Sequence, residues 1–194
     1  MADQMRNTVI CTLDAATLFL ESIQRDFQKN KLRHRDQVSN LNICFQNLLN
    51  LSTTPGGEFD PRIRSLQGSL LVISSAVGKK VEEHILFSNR AVEEIRCLFT
   101  ESLGFLKTAM DFLKTDNSIL LRWLENKQTE CRNYCDSCSN SHEERLIEGS
   151  CVPAASLLYL DMLRGFNDTH WQVINVIGLL AGLGEERKIV CSAN

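Results

Sequence analysis

Only three prolines punctuate the 194 residues. Few prolines and few regular turn clusters disfavour a many-stranded β fold and favour long helices. No run reaches the roughly 18 apolar residues that a membrane span needs. The most apolar stretch, Val173 to Leu183, contains Asn175 and reads as a buried core helix. The first twenty residues lack a cationic stretch ahead of an apolar one, and Asp3 and Asp14 interrupt them, so they do not read as a secretory leader. Positive charge is not in excess. A net charge of −3 and a pI near 5.8 argue against a chain whose main task is gripping nucleic acid. Catalytic signatures are missing too. There is no G-x-S-x-G, no glycine-rich phosphate loop and no H-E-x-x-H, and Gly56-Gly57 reads as a turn. A di-metal carboxylate enzyme would need Glu-x-x-His pairs on two helices, and the chain has none. The chain therefore reads as non-enzymatic.

What is present is helical periodicity. Met5, Val9, Leu13, Ala16, Leu20, Ile23 and Phe27 form one apolar stripe. A second runs through Val38, Leu41, Cys44 or Phe45, Leu48 and Leu49, and ends at the break around Pro55, Gly56 and Gly57. Asp60-Pro61 reads as the start of a third helix, striped by Ile63, Leu66, Leu70, Ile73, Val77, Val81 and Ile85. With no strong stop before Ile95, this helix is expected to run about 50 Å at roughly 1.5 Å per residue, with a bend available at Gly78. A fourth stripe holds Ile95, Phe99, Leu103, Leu106, Met110 and Leu113. Asp116 then reads as the cap of a fifth helix, which carries Ile119, Leu120, Trp123 and Leu124, then Cys131, Cys135 and Cys138. The break at Gly149 and Pro153 precedes a sixth helix that ends near Gly182 and Gly184, and 185–194 read as a frayed tail.

The first and fourth stripes align at a constant offset of 90. The expected architecture is all-α: a six-helix bundle of two antiparallel three-helix halves, about 1–92 and 93–184, packed as a single domain.

The stretch from Ser141 to His170 carries a recognisable pattern: His142-Glu-Glu-Arg145-Leu146, Gly149-Ser-Cys-Val-Pro153 and Ser156-Leu-Leu-Tyr-Leu-Asp-Met-Leu163. It resembles the second half of the PhoU-like domains attached to bacterial sodium/phosphate cotransporters. The resemblance implies a six-helix bundle with a three-helix repeat. It implies a regulatory domain of a sodium-dependent phosphate transporter, with no chemistry of its own, on the cytoplasmic side of the bacterial inner membrane. The implied partner is the transporter's membrane part, in the same polypeptide, with a second copy of the domain as a further partner. An alternative within the resemblance is a free-standing phosphate-uptake regulator that binds metal. That family's metal pattern pairs carboxylates four apart on the two third helices. Here its positions hold Lys79 and Glu83 in one half and Asn167 and Trp171 in the other, so no metal or other cofactor is expected. If a metal does bind, Glu82, Glu83, His84 and Asp161 are the candidate ligands.

Other candidate positions carry plainer readings. Cys131, Cys135, Cys138 and His142 share one helical face, and thiolates plus an imidazole suit zinc. Four ligands strung along about 16 Å of straight helix cannot close on one ion, so they read as small core residues. The eight cysteines read as reduced thiols. Asp161 should be half-buried and hydrogen-bonded, Trp171 should pack, and the basic run around His34 should be a solvated turn or a contact for acidic lipid.

Overall fold

The computed structural model describes residues 2–33, 35–52, 59–149 and 153–180. Six helices account for nearly all of them: α1 (Ala2–Lys29), α2 (Arg35–Ser52), α3 (Phe59–Glu82), α4 (Asn89–Thr115), α5 (Ser118–Ile147) and α6 (Pro153–Leu180). Among the described residues there is no strand. The break at Pro55, Gly56 and Gly57, the tail 185–194, the sixth-helix end at Gly182 and Gly184, and His34 lie outside the described residues.

The apolar stripes become the core. Val9, Ala16, Leu20 and Ile23 of α1 are fully enclosed, as are Phe45 of α2, Ile63, Leu70 and Ile73 of α3, Ile95 and Phe99 of α4, and Phe166 and Val173 of α6. Burying side chains of this size stabilises by about 1.5–3 kcal/mol each, so such stripes decide which face of each helix turns inward. All six helices contribute to one continuous apolar cluster. The broadest packing is between α3 and α6. α1 packs on α2, α3 and α4, while α6 also packs on α4 and α5. The α3–α6 seam is closed by small residues. Gly165 of α6 lies against Ile73 and the Ser69 carbonyl of α3, and Ser69 Oγ meets Thr169 Oγ1 at 2.9 Å. Register falls in α6 as it rises in α3, so the two helices are antiparallel.

Two boundaries differ from the sequence reading. The third helix does not continue to Ile95. It stops at Glu82, and His84 takes a left-handed conformation (φ 53°). The Ile85 N–H reaches back to the Lys80 carbonyl at 3.0 Å, which satisfies a carbonyl that the helix end leaves open. Four residues later Ser88 caps α4, its hydroxyl accepting from the Ala91 N–H at 3.3 Å. No stop was expected before Ile95, and a left-handed histidine supplies one here. Similarly, Asn117 and not Asp116 caps α5, accepting from the Ile119 N–H at 2.9 Å. Asp116 is the left-handed end of α4 and pairs with Arg6 of α1. The inward stripe of α5 also differs. Ile119 is 73% exposed and Trp123 is partly exposed, while Leu120 and Leu121 pack against the core and Leu124 is enclosed.

Candidate functional site

The proposed metal-ligand positions are dispersed. Glu82, Glu83 and His84 are exposed at the end of α3, as is Lys79, and His84 serves as the helix stop. Asp161 is half-buried on α6. Among the described residues, no group of three or more His, Cys, Asp or Glu side chains converges as a metal ion requires. Asn167 is half-buried, and Trp171 is 47% exposed, so it lies at the surface of α6 and not in the core.

The strongest electrostatic feature lies elsewhere. Glu94 of α4 is only 4% exposed. Arg145 of α5 holds both of its oxygens, at 3.2 and 3.0 Å, in a forked ion pair. The Tyr159 hydroxyl of α6 donates to the same carboxylate, and Arg90 Nε donates from one turn away at 2.8 Å. One carboxylate therefore ties three helices together. Burial pushes its pKa up, but the hydrogen bonds from Tyr159, Arg90 and Arg145 outweigh that and hold it below the usual carboxylate range. Tyr159 itself is driven far above the usual phenol range, first by burial and then by its bond to Glu94.

His142 completes this knot. It is 2% exposed, its ring lies 4.7 Å from that of Tyr159, and neither ring nitrogen has a hydrogen-bond partner. Burial, and then the Arg145 charge, lower its pKa, so the ring is held neutral. The His142–Arg145 element that the sequence reading singled out thus lies at the crossing of α4, α5 and α6. Glu94 was missed. Its signal was an acid one step from Ile95, inside the apolar pattern Ala91, Ile95, Leu98 of α4.

A second buried charge lies on α3, two aromatic rings away from this knot: Phe87 stands 6.1 Å from Tyr159. Lys80 of α3 is 7% exposed, and its ammonium reaches Asn30 Oδ1 at 3.2 Å and lies over the Phe27 and Phe87 rings. Burial lowers its pKa.

The cysteine stripe is buried as expected. Cys131, Cys135 and Cys138 are 7%, 6% and 4% exposed, and with Leu124 and His142 they make up the inward face of α5. The six described cysteines are free thiols. No protein-family model matches the chain, and no curated protein or solved structure matches it.

Proposed function

We propose that the chain is a non-catalytic regulatory domain of the PhoU kind, serving a sodium-dependent phosphate transporter from the cytoplasmic side of the membrane. The observation that carries this reading is the pairing scheme of the helices. Exchanging α1 for α4, α2 for α5 and α3 for α6 maps the α1–α4 and α3–α6 contacts onto themselves and every other principal helix contact onto another one. α1 meets α4 and α3 meets α6 across the middle, as two three-helix halves packed face to face would require. The offset of 90 supports the same reading: Val9 and Phe99, Ala16 and Leu106, Leu20 and Met110, and Ile23 and Leu113 are buried in pairs. The halves are then about 2–84 and 89–180.

A buried charge knot binding α4, α5 and α6 suits a stiff body that acts through its surface. Among the described residues no helix is long and apolar enough to cross a membrane. Transport would then lie in a separate membrane part, and this domain would set its rate by docking.

Sodium-dependent uptake of radiolabelled phosphate tests the reading. Cells lacking the coding segment should show an altered uptake rate, or a lost response of that rate to external phosphate. Unchanged uptake in both respects would sink the proposal. The upstream reading frame should also encode hydrophobic segments of about 20 residues each.

A further inference from the structure

A crevice of about 220 Å³ opens between α4 and α5 and reaches inward to α6. Leu98 and Glu101 line it from α4, Lys127, Cys131 and Tyr134 from α5, and His170 from α6. His170 is 1% exposed, and two contacts with α4 fix its ring. It stacks on Phe105 with centroids 4.0 Å apart, and Nε2 lies 2.9 Å from Ser102 Oγ. The other nitrogen, Nδ1, is buried and has no hydrogen-bond partner. The Cys131 sulfur on the neighbouring wall is a weak acceptor and does not satisfy it.

Burial decides which nitrogen carries the proton. Ser102 is fully enclosed, and Nε2 is the one hydrogen-bond partner of its hydroxyl among the described residues. Were Nε2 to donate, the serine proton would be stranded without an acceptor. Ser102 therefore donates to Nε2, and the ring proton sits on Nδ1. Nδ1–H is then a rigid, buried donor with nothing to donate to. A ligand that brings an acceptor into the crevice removes that cost.

The walls and the mouth narrow the choice of ligand. Leu98, the Cys131 sulfur and the Tyr134 ring present an apolar, polarizable surface that suits a flat aromatic body. A cavity of about 150 Å³ holds benzene, so this one takes a single ring with a short substituent. At the mouth the Lys127 ammonium is held between Glu101 at 3.2 Å and Glu130 at 2.9 Å. Two carboxylates against one ammonium disfavour an anion.

We propose that this crevice is a binding site for a small, neutral aromatic carbonyl compound. Its ring lies between α4 and α5, and its carbonyl oxygen accepts from His170 Nδ1–H. The site does not depend on the transporter reading, and the purified full chain tests it.

A long-range proton–nitrogen NMR spectrum of the free protein should show His170 protonated at Nδ1. Protonation at Nε2 alone would remove the donor and overturn the proposal. Acetophenone is the probe. Its addition should shift the His170 Nδ1 signal saturably, with a dissociation constant below about 1 mM. Two controls share its size: α-methylstyrene, with a methylene in place of the oxygen, and benzoate, which adds a charge. Each should bind at least about tenfold more weakly. His170→Phe keeps an aromatic ring and removes the donor, so it should abolish the preference for acetophenone over α-methylstyrene. An unmoved His170 signal at the solubility limit of acetophenone would overturn the proposal. So would equal binding of acetophenone and either control by the unaltered chain, and neither result needs a variant that folds.

Discussion

Glu94 shows how much one side chain can decide. Its carboxylate is enclosed, and it is held by one arginine fork, a second arginine and a phenol. Glu94→Ala leaves the little-exposed Arg145 guanidinium and the buried Tyr159 hydroxyl without it. We expect a loss of about 3–5 kcal/mol in urea unfolding, the range for removing one member of a buried ion pair. Replacing Glu94 and Arg145 together with leucine should recover part of that loss. Because the folded carboxyl is held low, its contribution is present above the unfolded value near pH 4.3 and fades as pH falls through the folded value.

His142 acts in a separate pH window. Its folded pKa is lowered, by burial first and Arg145 second. Above the unfolded value near 6.5 both states are neutral, and stability is complete. As pH falls from there toward the folded value, the unfolded chain binds the proton first, and stability is lost. Urea midpoints should therefore drop between pH 7.5 and 5.5, and His142→Gln should show a smaller drop. An identical drop in both proteins would assign the effect to other groups.

At the scale of the helix, ends matter more than middles. Asn30, His84, Asp116 and Gly149 take positive φ where α1, α3, α4 and α5 end. Only one of the four is glycine, so a search for glycine stops finds one end and passes the others. That is why the third helix read as continuous through His84. The residues around the turn are apolar at Val81 and Ile85, which prolongs the stripe, and only Ser88 signals a new start. Helix packing has its own tight spot. A Cβ on Gly165 would stand 2.6 Å from Ile73 Cγ1 and 3.1 Å from the Ser69 carbonyl oxygen. Gly165→Ala should cost about 1–3 kcal/mol through overpacking, despite alanine's better helix propensity. Thermal unfolding that is unchanged or raised would show that α3 and α6 part easily.

At the scale of the whole molecule, the central seams join elements far apart in sequence. α1 faces α4, and α3 faces α6. Residues 1–88 alone would expose the inward faces of α1 and α3. We expect this fragment to lack a cooperative urea transition, and to gain one when mixed with residues 89–194. A sharp transition for 1–88 alone would make the first three helices an independent unit.

Most helices were legible in the sequence because burial repeats every three or four residues, and Val9 through Ile23 or Ile95 through Leu113 display that repeat without any partner. The buried role of Cys131, Cys135, Cys138 and His142 was legible for the same reason: they share one face of α5. The Glu94 knot was not. A carboxylate beside an apolar stripe is tolerable only once Arg145 and Tyr159 arrive from other helices, and periodicity carries no information about which helix becomes the neighbour. The crevice at Cys131 has the same origin, since Ser102, Cys131 and His170 come from three helices. The sequence by itself determined which segments are helical and which face of each turns inward, because both follow from local spacing. Only the tertiary structure decided which buried charges and polar groups meet across helices, because those meetings depend on contacts across tens of residues.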